Sequence, residues 1–255
     1  LAAAGGPGTG ITLTAKFVGN NNMADAAGTV NINISAVAKV EKYGSTTYVG
    51  NLDDAFKTEN DGATITLLAN VTRTECLLIS IDCILDLGGH TIFGNLGTSD
   101  YILVIVRKNV TIQGDGGISG TGDAQVLQTS GNVIIKGGTF SCVSGNCIFV
   151  TGSNASLSIT GSEVRVESTG GYGLCIGSAS SVQLSAGTYS GEAGAFFIDD
   201  NNSFTLGNLL GHTGTTRYAY YKNDTTLVAE GLDSKTLADG SYTVRACEHI
   251  YEYTH

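Results

Sequence analysis

The sequence has no tryptophan, one proline and one methionine in 255 residues, and only 14% of its residues are charged. Lectin-like sugar sites commonly include tryptophan, so its absence leaves the tyrosine rings to stack on a sugar. The 13 lysines and arginines are mostly scattered singly along a chain of net charge −10, which leaves no basic stripe for a phosphate backbone. These scarcities argue against a nucleic-acid partner.

Long hydrophobic runs are also missing. No apolar stretch approaches the roughly 20 residues that cross a bilayer as a helix, so we expect no membrane span in this chain. No secretory signal is visible, and the first residue is Leu1 rather than methionine. We therefore expect a mature or excised piece of a longer protein, with flanking domains missing.

Glycine is abundant instead, and it separates short apolar segments. The chain has 36 glycines and 42% hydrophobic residues. Residues 132–144, NVIIKGGTFSCVS, carry alternating apolar residues on both sides of a Gly-Gly bend, which indicates two short strands. Similar text recurs as NVTIQGDGGISGT, SLSITGSEVRVES, SVQLSAGTYSGEA and ILDLGGHTIFGN. A repeat of strands and glycine corners predicts an all-β chain that forms a β-solenoid.

Aligning the repeats gives four columns of residues that are expected to face inward. The predicted columns are Ile65, Leu85, Val110, Val133, Leu157, Val182 and Phe204; Leu67, Leu87, Ile112, Ile135, Ile159, Leu184 and Leu206; Val71, Ile92, Ile118, Phe140, Val164, Tyr189 and Leu210; and Leu77, Leu103, Val126, Ile148, Leu174 and Phe196. The expected solenoid has about seven rungs of three strands and is roughly 30 Å long.

Other segments frame these repeats. In chain order we expect a β-hairpin or the tail of a sandwich-like module over 1–37, an N-terminal cap with a short helix over 38–62, the parallel β-helix over 63–211, and a C-terminal β cap with the start of a Cys/His-rich segment over 212–255. The helix, within NLDDAFKTENDG, has Asn51 as its N-cap and places Leu52, Ala55 and Phe56 on one apolar stripe.

The run NLDDAFKTENDGATITLLANVT, followed by ILDLGGHTI, resembles the N-terminal part of right-handed parallel β-helix proteins of the pectate-lyase-like superfamily. In particular, residues 61–67 and 85–92 are similar to β-helix modules in large surface proteins of gut-dwelling Gram-positive bacteria. The resemblance covers roughly residues 40–255. It implies a single-stranded right-handed parallel β-helix that is secreted or displayed on a bacterial cell surface. It says little about activity, because this fold hosts many functions.

Enzymes of this fold provide catalytic expectations that the sequence meets only in part. Polysaccharide lyases use acidic calcium ligands with an arginine or lysine base, and no aligned aspartate trio accompanies the arginines of the repeats. Pectin hydrolases use N-T-D, paired-Asp and G-H-G motifs, of which only the pair Asp199-Asp200 occurs in the coils. The catalytic candidates are Asp199, Asp200 and Asp86, and a solvated turn is the alternative role for the pair.

Other polar side chains of the repeats favour structural roles. His90 could act as a base or a ligand, but its place in LGGHTI favours a hydrogen-bonded corner. Glu163 and Glu167 bracket Arg165 on one strand face. Carboxylates four residues apart along a strand are about 13 Å apart, too far for glycoside hydrolysis. An exposed row of ion pairs is the interpretation.

Tyrosines and cysteines supply the remaining candidates. Tyr218, Tyr220 and Tyr221 could stack on sugar rings, and a capping role is the alternative. Cys142 shares the inward parity of Phe140, which favours a buried free thiol. Cys76 with Cys83, and Cys142 with Cys147, are pairs that could face each other across a turn.

The C-terminal residues Cys247, His249 and His255 have the ligand types of a zinc site, but their spacing is not that of a standard zinc finger. No cofactor is expected.

Two functions remain open. The first is a non-catalytic β-helix module of a secreted or cell-surface bacterial protein, acting as a structural stalk or binding a host or dietary glycan or a surface protein. The alternative is a carbohydrate-active enzyme, a polysaccharide lyase or glycoside hydrolase, on the same fold. A calcium-stabilised structural module is a third interpretation.

Overall fold

The computed structural model describes residues 10–17, 26–33, 35–96, 102–121, 124–179, 181–211, 216–228, 231–237 and 240–247. Near the N-terminus, β1 (Gly10–Phe17) pairs with β2 (Ala26–Asn33) in an antiparallel hairpin. There follow the antiparallel pair β3 (Ala38–Lys42) and β4 (Ser45–Val49), helix α1 (Leu52–Ala55) and a 3-10 helix, Thr58–Asn60. The helical segment is therefore shorter than the sequence predicts and is interrupted after Ala55.

The next 18 strands form six coils, each made of three strands. The coils are β5 (Ala63–Leu67), β6 (Val71–Arg73) and β7 (Leu77–Ile79); β8 (Cys83–Asp86), β9 (His90–Gly94) and β10 (Ile102–Val106); β11 (Asn109–Gln113), β12 (Gly116–Gly120) and β13 (Gln125–Thr129); β14 (Asn132–Ile135), β15 (Thr139–Cys142) and β16 (Ile148–Val150); β17 (Ser156–Ile159), β18 (Arg165–Ser168) and β19 (Tyr172–Ile176); and β20 (Ser181–Leu184), β21 (Thr188–Gly191) and β22 (Gly194–Ile198).

Corresponding strands of successive coils pair in parallel and build three sheets. Sheet 1 takes the first strand of every coil, sheet 2 the second and sheet 3 the third. The all-β parallel solenoid predicted from the sequence is confirmed. No helix in the part of the chain that the structure describes is long and apolar enough to cross a membrane.

The core consists of apolar side chains stacked in register from one coil to the next. Val133, Leu157 and Val182 occupy paired positions of β14, β17 and β20, and each is at most 1% exposed. Because side chains alternate along a strand, each inward residue is separated from the next by an outward one. The stacking that the repeats predict is therefore present in the structure.

The predicted alignment is wrong at the first two coils. Ile65 and Leu85 pair with the column of Ile112, not with Val110, whose partner in the second coil is Cys83. A shift of two residues keeps every side chain on the same face of the strand, so burial alone could not reveal the error. The same reason explains sheet 2, where Phe140 pairs with Val166 instead of Val164.

In sheet 3 a bulge displaces the predicted column by one residue. Val104 and Leu127, rather than Leu103 and Val126, are the register partners of the adjacent coils. The backbone N–H groups of Val126 and Leu127 both donate to the Cys147 carbonyl, at 3.1 Å each. Two successive residues therefore face inward on these strands, a pattern that a strict alternation cannot predict.

The solenoid has six full coils, so the prediction of a seventh rung is wrong. Phe204 and Leu206 lie outside any strand, and a 3-10 helix, Gly207–Leu209, occupies the place of a further strand. Leu206 and Leu209 are buried there. Leu210 makes one isolated parallel bridge, to Leu184 of sheet 1. Apolar residues thus cover the last coil without continuing the ladder.

The N-terminal end of the solenoid is covered by β3 and α1. Strand β3 runs antiparallel to β5, and the α1 segment buries Leu52, Ala55 and Phe56. Arg73, at the end of β6 and 9% exposed, donates to the Asp53 carboxylate at 2.8 Å. The side chain of Asn51 accepts the Asp53 N–H at 3.1 Å, as the N-cap prediction requires. The first coil is therefore tied to the helix by a charged hydrogen bond.

The C-terminal strands reverse direction. These are β23 (Tyr218–Lys222), β24 (Thr226–Leu227), β25 (Thr236–Leu237) and β26 (Gly240–Ala246). Strand β26 pairs antiparallel with β21 in sheet 2, and β25 pairs antiparallel with β22 in sheet 3. Beyond the last coil, sheets 2 and 3 therefore continue with antiparallel strands instead of a further parallel coil.

We expect Leu157→Ala to lower the free energy of unfolding by about 2–5 kcal/mol, because it leaves a cavity between two coils. Ser158→Ala, on the outward side of the same strand, should change it by less than about 0.5 kcal/mol. Urea unfolding followed by circular dichroism measures both values. Equal losses for the two variants would contradict the inward stacking.

We expect Asp53→Ala to destabilise the protein by about 1–3 kcal/mol, because it leaves the buried Arg73 guanidinium without its carboxylate. Asp54 lies in the same helical turn and contacts the exposed Lys57 at 2.7 Å. Asp54→Ala should therefore cost less than about 1 kcal/mol. Thermal unfolding compares them, and a larger loss for Asp54→Ala would refute the role of Arg73.

Candidate functional site

The catalytic candidate Asp86 supports a corner of the second coil. One carboxylate oxygen accepts the Gly88 N–H at 2.9 Å, and the other accepts the Gln113 side-chain amide at 3.1 Å. The first contact closes a tight turn, and the second joins adjacent coils. Both oxygens of the side chain are thus engaged in the geometry of the corner.

Asp199 and Asp200 lie in the turn that follows sheet 3. The Asp199 carboxylate accepts the Asn201 N–H at 2.8 Å and the Asn201 side-chain amide at 2.9 Å. The Lys235 ammonium donates to the carbonyl groups of Asp199, Asp200 and Asn202. The pair therefore lies in a turn, and a solvated turn is the alternative role that the sequence indicates for it. Asp86 is four coils away, about 19 Å along the axis, so the structure does not bring these candidates together.

The three candidate tyrosines belong to the C-terminal cap. Tyr220 is 0% exposed, and its hydroxyl donates to the Leu206 carbonyl at 2.8 Å. Its ring meets the Phe196 ring edge-on, with centroids 5.2 Å apart. Tyr221 is also buried and stacks under the Arg245 guanidinium at 4.2 Å, whereas Tyr218 is half-buried. Tyr220 closes the core and has no surface to offer a sugar.

Only one of the three zinc candidates lies among the described residues. Cys247 is a half-buried free cysteine, and His249 and His255 lie outside the described residues. Within the described ranges, no group of three or more His, Cys, Asp or Glu side chains is arranged to hold a metal ion.

The remaining polar candidates occupy structural positions. The backbone N–H of His90 donates to the Leu87 carbonyl at 2.8 Å, which closes the predicted corner. Arg165 and Glu167 face outward on β18, as the sequence predicts. However, none of the salt bridges found among the described residues joins Arg165 to Glu163 or Glu167, so the predicted row of ion pairs is wrong.

A polar ladder follows one exposed corner of sheet 1. Asn109 donates from both its backbone and its side chain to the Asp82 carboxylate, at 2.9 Å each. Asn132 donates to Asn109 at 2.8 Å, and Ser156 donates to Asn132 at 2.9 Å. The backbone and side-chain hydrogen bonds from Asn109 lower the pKa of Asp82. The ladder links four coils through their turns, which is a structural role.

Sheet 3 carries the candidate binding surface. One outward residue per coil lies at paired positions, and we call this column the sheet 3 face: Leu78, Ile105, Gln128, Phe149, Cys175 and Phe197. Only Gln128 has a strongly polar side chain. Leu78 is 43% exposed, Cys175 is buried, and the other four are half-buried. A row of six residues at the strand spacing is about 24 Å long.

Aromatic rings dominate the C-terminal half of the sheet 3 face. The Tyr172 ring contacts the Phe197 ring, with centroids 5.0 Å apart and planes inclined by 33°. A Cβ atom added to Gly177 would come within 2.9 Å of the Phe149 ring, so that ring lies against the backbone of the next coil. The flat rings and the missing side chain give this half a smooth apolar surface.

The outer surfaces of the other two sheets are more polar. At the matching central positions, sheet 1 presents Thr64, Ile84, Thr111, Ile134, Ser158 and Gln183, and sheet 2 presents Thr72, Phe93, Ser119, Ser141, Glu167 and Ser190. Sequence reasoning missed the sheet 3 face, although the signal was present. Phe149, Cys175 and Phe197 are apolar residues at positions that alternate with the core, where solvent-facing strands are usually polar.

Comparisons of the chain with protein-family models, with curated proteins and with solved structures find no match.

We expect the stability of the protein to fall above pH 10. Burial raises the pKa of the Tyr220 hydroxyl well above its ordinary value, so it stays protonated in the folded state and ionises only after unfolding. The contribution is therefore intact below about pH 10 and declines above it, by up to about 1.4 kcal/mol per pH unit.

Tyr220→Phe should make the decline above pH 10 shallower, measured as the free energy of unfolding between pH 8 and pH 11. Tyr43→Phe is the matched control, because Tyr43 is 94% exposed. An unchanged slope for Tyr220→Phe would be inconsistent with a buried, neutral hydroxyl.

Proposed function

We propose that this chain is a non-catalytic β-solenoid module of a secreted or cell-surface bacterial protein, and that the sheet 3 face binds a glycan. The observation that carries the proposal is the column of the sheet 3 face, to which five of the six coils contribute an apolar side chain. Such a column on a rigid scaffold can hold an extended ligand without any part of the fold moving. The bacterial surface location rests on the resemblance of residues 61–67 and 85–92 to surface-protein modules.

The chemistry of the sheet 3 face favours a sugar chain as the ligand. A sugar ring has apolar C–H faces and a rim of hydroxyl groups. The Phe149 and Phe197 rings offer apolar contact area, and the Tyr172 hydroxyl and the Gln128 amide can each donate and accept hydrogen bonds. No carboxylate lies in the column, so recognition would depend on stacking and neutral hydrogen bonds.

The positions of the catalytic candidates also support a binding role. Asp86 and Asp199 each use their carboxylates to hold a turn, and four coils separate them. Glycoside hydrolysis needs two carboxyl groups about 5 to 9 Å apart on either side of the scissile bond. A separation of about 19 Å does not meet that requirement.

Binding can be tested on the whole chain with an array of plant, bacterial and host glycans, followed by calorimetry with the best ligand. We expect Phe149→Thr and Phe197→Thr to weaken binding at least about tenfold, because each removes a stacking surface. Threonine is suitable because it remains compatible with a strand.

Phe93→Thr is the matched control for binding. Phe93 is 39% exposed and lies on the outward side of sheet 2. An equal loss of affinity in Phe93→Thr would contradict the assignment to sheet 3, and an array without any bound glycan would contradict glycan binding. Release of sugar products that is abolished by Asp86→Ala or Asp199→Ala would establish the enzyme instead.

A further inference from the structure

The corner between sheets 2 and 3 has a recurring pair of facing residues. The last residues of the sheet 2 strands form a register column: Gly94, Gly120, Cys142, Ser168 and Gly191. In sheet 3, the residues that directly precede the register partners Val104, Leu127, Ile148, Leu174 and Phe196 are also buried: Leu103, Val126, Cys147, Gly173 and Ala195. A Cβ atom on Gly94 would meet the Leu103 side chain at 2.8 Å, and one on Gly120 would meet Val126 at 3.3 Å.

The fourth coil places two cysteines at this pair of facing positions. Cys142 ends β15, Cys147 immediately precedes β16, and the four residues between them form the turn. The two thiol groups are in hydrogen-bond contact with each other. Both cysteines are free and buried, with Cys142 4% and Cys147 0% exposed. A disulfide requires two neighbouring side chains of this kind, with Cα atoms within about 7 Å.

Hydrogen bonds hold the turn around the two thiols. The Cys142 Sγ donates to the Gly145 carbonyl at 2.9 Å, and the Ser168 hydroxyl donates to the same carbonyl at 2.7 Å. Val143, the first residue of the turn, is 51% exposed. The thiols therefore belong to the hydrophobic core but lie directly beneath a surface turn.

The surroundings also distinguish the reactivity of the two thiols. Hydrogen bonding from Cys147 lowers the pKa of Cys142 to about 7, against the effect of burial. Burial, followed by the interaction with Cys142, raises the pKa of Cys147. The hydrogen bond from Cys147 thus favours the thiolate form of Cys142, which is the form that attacks a disulfide. By contrast, burial raises the pKa of Cys83 and of Cys175 to about 12.

We propose that Cys142 and Cys147 are a disulfide-forming site that reacts with low-molecular-weight disulfides, with Cys142 as the attacking thiol and Cys147 as the resolving thiol. The Cys142 thiolate attacks one sulfur of the small disulfide, which forms a mixed disulfide and releases one small thiolate. Cys147 then attacks the Cys142 sulfur and releases the second small thiol. The two protein S–H bonds become one S–S bond, and their hydrogens leave on two small thiols.

The test uses the whole folded chain and oxidised glutathione at neutral pH. After acid quenching, unfolding and alkylation with iodoacetamide, trypsin releases residues 137–165, a peptide that contains both cysteines and no others. We expect this peptide to lose two hydrogens and to carry no alkyl group, while peptides with Cys83 and Cys175 are alkylated. The bridge should form at least about tenfold faster than glutathione adds to Cys83 or Cys175.

Two variants assign the roles of the thiols. Cys147→Ser should stop the reaction with glutathione attached to Cys142, and Cys142→Ser should leave Cys147 unmodified until the chain is unfolded. Cys83→Ser is the matched control and should form the bridge at the wild-type rate. Alkylation of both cysteines in the oxidised wild-type protein would overturn the proposal, as would a bridge from Cys142 to a different cysteine.

Discussion

Each coil of this solenoid buries its apolar side chains against the coils directly above and below it. A coil contributes three short strands. These three strands could not form a stable core without the neighbouring coils. Apolar side chains are buried from solvent because residues such as Val133, Leu157 and Val182 lie at the same register position of successive strands. Hydrogen bonding between parallel strands and apolar stacking therefore impose the same alignment, and every other feature of the molecule is arranged around it.

The corners show how that alignment limits the choice of residues. Where a sheet 2 strand ends in glycine, as at Gly94 or Gly120, the facing residue of sheet 3 is as large as leucine or valine. Where it ends in Cys142, the facing residue is Cys147 of similar size. At these three corners the space is filled either by one large side chain or by two side chains of intermediate size, since interiors are closely packed. In the fourth coil both members of the pair are thiols, and this is where we propose that a disulfide forms.

The fold could be predicted because apolar alternation and glycine corners repeat along most of the chain. The exact register could not, because a shift of two residues, as at Ile65 and Leu85, leaves the same faces buried. The bulges of sheet 3 and the 3-10 helix after Leu206 depend on how the backbone closes each coil. That closure leaves no periodic signal in the sequence.

The candidate site was harder to predict than the fold. Asp86 and Asp199 have the residue type of a catalytic acid, but the same short carboxylate also holds tight turns. Only the structure shows the Gly88 and Asn201 N–H groups on these oxygens. The sequence does show apolar residues at the outward positions of Phe149 and Phe197. Only the register of the strands shows that these residues form one column.

Reversal of strand direction at both ends has a consequence for how such a molecule can change in length. Because β3 and β26 present antiparallel partners, a new winding cannot be appended to either terminus without removing a closing strand. Growth or shortening must occur in the interior, by gain or loss of one whole unit between two existing ones. The gain of one unit would leave the closing strands at both ends intact and would add one residue to the sheet 3 face. The length of that face therefore depends on the number of internal duplications.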